Sequence, residues 1–317
     1  MPPIPYELFE KMVMKTIQAN WAYIPPAGKG RLYIRPDWFD HGPQMHVNNS
    51  DRFTLLMCAV AIGSAESYFK KGRKKFLMAK GRARVAEGGN IGWIKMDGNY
   101  APTIDLIKKA GDKGMAGVIF TNSAGDRIEE TNASSVIFIK KNTKTIITPS
   151  LEHGTILDSV TRKTILKWAR ENGWNVEERD ISPDELETMA KEGDMEAIAV
   201  GTAAAIAPIH EIQVGSVDPT TNEISEDGAP IQISPAGEKG RGEISTQIFK
   251  AIMDMKSGKA QKRMRAKLKT KERERSRMKK GADTTQIDID ITELKRKLEE
   301  QEDYLTIVPS PENAEIV

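Results

Sequence analysis

A lysine and a tyrosine stand five residues apart in the stretch Ile94-Lys95-Met96-Asp97-Gly98-Asn99-Tyr100. A lysine amine condenses with an aldehyde and carries protons, and a phenol hydroxyl can hydrogen-bond an oxygen of whatever the amine captures. In an unbroken strand, positions an odd number apart face opposite sides, so Lys95 and Tyr100 can serve one ligand only across a break in the backbone. Gly98-Asn99 reads as that break, because both residue types tolerate left-handed backbone angles, with Asp97 among the next most tolerant. Taken alone, the pair is a weak signal and reads more readily as a solvated lysine beside a glycine turn.

The elements that follow must position this pair. Ala101-Pro102-Thr103 leads into a short helical run through Ile104, Leu106, Ile107 and Ala110, stopped at Lys113-Gly114. The apolar run Val118-Ile119-Phe120 comes next, then Ile128-Glu129-Glu130. A strand Val136-Ile137-Phe138-Ile139 turns at Lys141-Asn142-Thr143-Lys144 into Thr145-Ile146-Ile147-Thr148-Pro149. His153-Gly154-Thr155 opens a stretch running on to Arg162. Val200-Gly201-Thr202-Ala203-Ala204-Ala205-Ile206-Ala207-Pro208-Ile209 closes the series. In order and spacing these motifs resemble the C-terminal, cofactor-binding domain of the branched-chain amino acid aminotransferases, class IV pyridoxal-phosphate-dependent enzymes. The resemblance runs from about Tyr6 to about Met255 and is most specific between Lys95 and Pro208.

The resemblance implies an α/β (α+β) chain of the D-amino-acid aminotransferase-like fold, fold type IV, mainly its C-terminal cofactor domain. It implies pyridoxal 5'-phosphate as cofactor, no metal, and Lys95 as the catalytic residue that forms an aldimine with it. Tyr100 then contacts the phenolic oxygen. Glu130 holds the ring nitrogen, although on residue type alone Glu129 and Glu130 read as surface acids of a turn. Ser159, Val160 and Thr161 grip the phosphate at a helix start, where backbone amides and the dipole favour an anion, and Thr202 makes a second contact. N-capping by Ser159 is compatible with that role. For the substrate, Leu32-Tyr33-Ile34-Arg35-Pro36 resembles the family's strand carrying an aromatic and a retractable cation. Tyr33 and Arg35, two apart, share a face. Tyr68, Ala133, Thr202 and Ala203 complete the implied substrate set, with the Ala203 amide toward an α-carboxylate. The reaction implied is transfer of the amino group of leucine, isoleucine or valine to 2-oxoglutarate by a homodimer in the cytoplasm.

Several positions depart from the family. Asp97 stands where relatives have Gly, Asp158-Ser159 where they have Pro-Gly, and Ser135 where they have Asn. Relatives also carry a further stretch ahead of the point matching Met1, including an arginine for the phosphate. A separate N-terminal fragment is therefore one expected partner. Two alternatives stay open: a noncatalytic remnant binding an acidic partner through its tail, and another activity of the fold, aminodeoxychorismate lyase or D-amino-acid transaminase.

Three regions are expected: a partial N-terminal substrate domain at 1–65, a cofactor domain at 66–257, and a charged tail at 258–317, disordered or helical. The first holds a helix from Tyr6 to about Asn20 with Leu8, Phe9, Met12, Val13, Thr16 and Ile17 on its apolar face, then a strand closed by Pro36. In the second, a helix at 160–172 ends at Gly173 and Ser182-Pro183-Asp184-Glu185 forms a capping box. The chain of 317 residues carries net charge +2 and one cysteine, Cys58, within an apolar run that reads as buried core. One cysteine permits no internal disulfide and suits a reducing compartment. No run of some eighteen apolar residues spans a membrane, and Met1-Pro2-Pro3-Ile4-Pro5 lacks a secretory pattern. His41, His46, His153 and His210 show no metal-ligand spacing. From Lys256 to Lys280 the basic residues crowd together and could contact nucleic acid weakly through phosphates, without stacking. A solvated charged helix is the competing reading, followed by a second helical run from Thr292 to about Tyr304.

Overall fold

The structure, a computed structural model, describes residues 2–26, 28–43, 51–65, 74–233, 242–278 and 283–302. Two compact units emerge, one formed by residues 1–65 with 261–317 and the other by residues 66–260.

In the first unit α1 (Tyr6–Ala19) packs on a hairpin of β1 (Gly30–Asp40) and β2 (Phe53–Gly63). Phe9, Met12, Val13 and Ile17 are half-buried on one helix face, whereas Leu8 is exposed. Pro36 does not close the first strand: it lies within β1, opposite Met57. In a two-stranded sheet each strand keeps an outer edge, and there a missing N–H removes no ladder bond. Cys58, opposite Arg35 in β2, is only half-buried, because the described hairpin is a single layer with no second sheet over it. The tail supplies α6 (Lys259–Arg277) and α7 (Thr285–Glu302). The second helix starts earlier than the Leu294 and Leu298 pattern indicates, since Asp288 and Asp290 face α6 in ion pairs that a pattern of apolar residues does not register.

The second unit is built on two sheets. In one the order is β12 (Ile224–Glu226), β11 (Glu211–Val217), β3 (Lys75–Lys80), β4 (Gly117–Thr121) and β5 (Ile128–Thr131), with β13 (Ile231–Gln232) also pairing β11. Strand β3 runs parallel to both β4 and β11, and its side chains are buried on both faces. That is why Phe76-Leu77-Met78-Ala79 is a continuous apolar run rather than an alternating one. Phe76 and Met78 face the central core, while Leu77 and Ala79 meet Leu106 and Ala110 of α2 (Ile104–Asp112).

The other sheet has the order β10 (Ala205–Ile209), β9 (Met195–Gly201), β6 (Ser135–Lys140), β7 (Thr145–Thr148), β8 (Asn175–Glu178). Val136, Phe138, Ile147, Ala197 and Ala199 turn toward the first sheet and, with Ile181 and Leu186, seal the central core. Lys144, at φ 49°, makes the tight β6–β7 turn. Helix α4 (Pro183–Lys191) starts at the expected cap: the Glu185 amide donates to Ser182 Oγ at 3.0 Å. Helices α3 (Val160–Glu171) and α5 (Glu243–Lys256) pack together and against β9. Among the described residues no helix is long and apolar enough to cross a membrane.

Candidate active site

Beyond β3 the chain runs without regular structure to Lys95, and separate backbone and side-chain hydrogen bonds rather than a ladder hold it. The Gly92 amide donates to the Gly154 carbonyl at 2.9 Å. A Cβ at Gly92 would run into the backbone of Thr155, so only glycine permits this approach. Asn99 is buried, and its Nδ2 donates to the carbonyls of Ile91 and Ile94 at 2.8 and 2.9 Å. These two bonds fold the loop around Lys95.

Lys95 and Tyr100 meet. Nζ donates to the Tyr100 hydroxyl at 2.9 Å and lies 4.7 Å from the ring centroid. The backbone achieves this differently from the sequence expectation. Asp97–Asn99 form a right-handed 3-10 turn, and neither Gly98 nor Asn99 has a positive φ. The buried amide of Asn99, not a left-handed glycine, shapes the bend. Trp93, Ile94 and Met96, sequence neighbours of Lys95, are exposed.

Glu130 sits on β5 and is 3% exposed, within the range of the apolar core. Its Oε1 is 2.5 Å from Nη2 of Arg84, itself 3% exposed, and accepts the Leu157 amide at 3.0 Å. Burial pushes the Glu130 carboxyl up to about 7, against the pull of Arg84, the Leu157 amide and Lys95, while Glu129 adds to the rise. Arg84 also donates to the carbonyls of Thr155, Gly92 and Asn99 at 3.1, 3.3 and 3.4 Å, and its guanidinium stands 5.8 Å from the Tyr100 ring centroid. One arginine thus ties together the lysine loop, the carboxylate and the segment leading into α3. The sequence reading missed it: in Arg82-Ala83-Arg84 nothing distinguishes a buried guanidinium from a solvated one.

Two residues past Leu157, Ser159 caps α3, its Oγ accepting from the Arg162 amide at 3.4 Å. Val160 is exposed and Thr161 buried at this helix start. Arg162, 1% exposed, pins the turn to the sheet through the Pro149 carbonyl at 3.0 Å and Glu178 at 2.9 Å. Asp158 pairs with Lys163 at 2.5 Å. On the other side of Glu130 the chain turns at Thr131–Ser134, where the Ala133 amide donates to Thr131 Oγ1 at 3.4 Å. A Cβ at Gly201 would lie 3.2 Å from Ser134 Oγ, so this turn adjoins the one bearing Thr202 and Ala203. Lys256 Nζ donates to the Thr202 carbonyl at 3.4 Å. Tyr33 and Arg35 are on β1 in the other unit, where Arg35 pairs with Asp37 at 3.1 Å. Tyr68 and His46 lie outside the described residues. Among the described residues no cluster of His, Cys, Asp and Glu forms a metal-ligand set.

Known proteins are similar to this chain in sequence and fold. The family described as "Amino-transferase class IV" matches residues 1–212. Chloroplastic branched-chain-amino-acid aminotransferase 5 of Arabidopsis thaliana is 32% identical over 266 residues, which is 83% of this chain and 58% of that protein. Among solved structures, a branched-chain aminotransferase from Thermoproteus uzoniensis with norvaline superposes with a TM-score of 0.60 at 26% identity, over 80% of this chain and 72% of that one. A branched-chain amino acid aminotransferase from Thermobaculum terrenum has a TM-score of 0.60 at 22% identity and the same coverage, a likeness of fold. The chain belongs to the class IV aminotransferases, and its α/β fold is theirs. It spans between half and three fifths of the length of the curated relatives it matches.

Proposed function

We propose that this chain binds pyridoxal 5'-phosphate at Lys95 and transfers the amino group of leucine, isoleucine or valine to 2-oxoglutarate. The observation that carries the reading is the 2.9 Å contact between Lys95 Nζ and the Tyr100 hydroxyl, joined through Arg84 to a buried carboxylate at Glu130. An amine, a phenol and a buried carboxyl are the donor set that suits the aldehyde, the phenolic oxygen and the ring nitrogen of such a cofactor. Its phosphate suits the start of α3 at Ser159, Val160 and Thr161, with Thr202 as a second hydroxyl. The relatives named as branched-chain aminotransferases support the same reading.

When bound, the cofactor supplies an aldehyde for the amine and an electron-accepting ring. The protein supplies the rest. Lys95 Nζ accepts the proton from the substrate Cα and returns it, a role suited to a mobile amine beside a phenol. Tyr100 keeps that amine oriented. Glu130, buried and fixed by Arg84 and the Leu157 amide, keeps a cationic ring nitrogen protonated. Exposed Trp93, Ile94 and Met96 give an apolar setting that favours a branched aliphatic side chain over a polar one. For substrate contacts in the second unit we assign Ala133, Thr202 and Ala203.

Purified full-length chain mixed with pyridoxal phosphate and reduced with borohydride should carry a stable adduct on Lys95 by peptide mapping. Leucine with 2-oxoglutarate should turn over. An adduct spread over many lysines, with no turnover, would refute the assignment.

A further inference from the structure

The ladder between β4 and β5 is out of step at the two carboxylates. Thr121 pairs with Ile128, and Ile119 pairs with Thr131. Phe120 alone therefore opposes both Glu129 and Glu130, which is a β-bulge with its extra residue among the two acids. In an unbroken strand consecutive side chains face opposite sides, so the charge of Glu129 would be directed away from Glu130. Bulges re-aim side chains and concentrate beside active sites.

Glu129 is 2% exposed, and its surroundings are unusual for a buried acid. Oε1 is 3.4 Å from Nη2 of Arg127, and Oε2 has no hydrogen-bond partner among the described residues. A contact that long compensates little of a buried charge. Glu130, by contrast, is already answered by Arg84 at 2.5 Å. Among the described residues the charged groups acting on the pair are Arg84 and Lys95 toward Glu130 and Arg127 toward Glu129. A second cation placed at Glu130 would meet a carboxylate whose charge Arg84 has largely neutralised. One further anion is needed beside it, and Glu129 is the one with an unpartnered oxygen.

We propose that Glu129 is a positioning residue of this site, the second buried anion that lets Glu130 attend a protonated ring nitrogen while remaining paired with Arg84. The inference rests on the pyridoxal-phosphate reading above. Its electrostatics follow from charge arrangement: an anion close by raises the proton affinity of Glu130 and of any base hydrogen-bonded to it.

The test uses the full-length chain and Glu129→Gln, which keeps the shape and removes the charge, with Glu129→Asp as the conservative variant. In the unliganded chain, the infrared band of the protonated carboxyl, assigned by its disappearance in Glu130→Gln, is followed against pH. In Glu129→Gln the midpoint should fall by about one unit, a roughly tenfold loss of proton affinity, and Glu129→Asp should restore most of it. Binding is then measured for pyridoxal phosphate and for its 1-deaza analogue, which lacks the ring nitrogen. The Gln variant should lose about tenfold in affinity for the first and almost nothing for the second. An unmoved Glu130 midpoint, or equal losses for both ligands, would overturn the inference and leave Glu129 a packing residue. Wild-type chain that binds neither ligand would overturn the cofactor reading itself, a different outcome from a shifted midpoint with both ligands bound equally, which overturns only the role of Glu129.

Discussion

Arg84 meets Glu130 at 2.5 Å with both side chains almost wholly removed from solvent. The pair joins two stretches far apart in sequence and places a carboxylate next to the lysine loop. Removing one member of a buried pair strands the other charge, which costs more than the pair's net contribution. Arg84→Ala also frees the carbonyls of Thr155, Gly92 and Asn99. Urea unfolding should show a loss of about 3–5 kcal/mol for Arg84→Ala. Adding Glu130→Gln should recover part of that loss, because the carboxylate that Arg84 answered is no longer left charged and unpaired. A double variant as unstable as the sum of the singles would show that the two do not act as a pair.

The same carboxylate gives the fold a pH dependence. Burial raises Glu130 from the ordinary carboxylate range to about 7, so between those limits the folded chain holds a proton that the unfolded chain has released. Stability from this group is therefore greatest in acid and falls as pH rises through that window, flattening above about 7. The variation amounts to a few kcal/mol at most, since one pKa unit corresponds to about 1.4 kcal/mol. Urea midpoints measured from pH 5 to 8 should decline in the wild-type chain. In Glu130→Gln the decline should be clearly shallower, and an identical slope would assign it to other groups.

Lys95 and Tyr100 separate nucleophile from orientation. Lys95→Ala should abolish the borohydride-reducible adduct and lower turnover by several orders of magnitude, since amine and proton carrier leave together. Tyr100→Phe removes only the hydroxyl that Nζ contacts at 2.9 Å. It should keep the adduct and lose turnover by about one to two orders of magnitude, the scale of a single positioned hydrogen bond in catalysis. Adduct formation surviving in Lys95→Ala would move the site to another lysine.

How much of this was legible depends on whether a residue's role lies in local pattern or in distant partners. The Lys95–Tyr100 spacing gave their meeting, and β4 and β6 declared themselves as apolar runs. The reason for the bend was misread, because Asn99 acts through carbonyls of Ile91 and Ile94 that sequence does not place beside it. Glu129-Glu130 reads as surface because adjacent acids break every burial pattern, and only the bulge and Arg84 make sense of them inside. Pro36 looked like a strand end, yet an outer edge tolerates it. The family resemblance supplied the role of Glu130 where residue type argued against it.

Gly92 is the backbone counterpart of Arg84 in docking the lysine loop onto residues 154–155. A methyl group there meets the Thr155 backbone, and no flexible side chain can yield to it. Gly92→Ala should leave the central core of Phe76, Met78, Val136 and Phe138 folded, since that cluster includes no residue of the loop. The loop must shift, carrying Lys95 with it, and misplacement of a reacting group by about 1 Å costs on the order of a hundredfold. Far-ultraviolet circular dichroism unchanged with cofactor affinity and turnover sharply reduced is the expected outcome. Normal affinity would mean that the loop accommodates the methyl group without moving the amine.

The tail carries a separate prediction. Lys271 pairs with Asp290 at 3.0 Å, Lys295 with Glu272 at 3.6 Å, and Arg275 with Asp288 in the closest contact of the set. Lys271 and Glu272 meet Asp290 and Lys295, while Arg275, further along α6, meets the earlier Asp288, so the helices run antiparallel, zipped by charge rather than by a leucine seam. Lys271 and Arg275 are thereby answered by carboxylates and are not free for nucleic-acid phosphates. Asp288→Lys places like charges opposite each other, and hydrogen exchange in the full-length chain should then quicken along α7. Combining it with Arg275→Glu reverses the pair and should restore protection, while raising the salt concentration should narrow the difference between single variant and wild type. Exchange rates along α7 that ignore both the substitution and its reversal would mean that apolar contacts such as Ile291 and Leu298, both buried, hold the helix without help from the ion pairs.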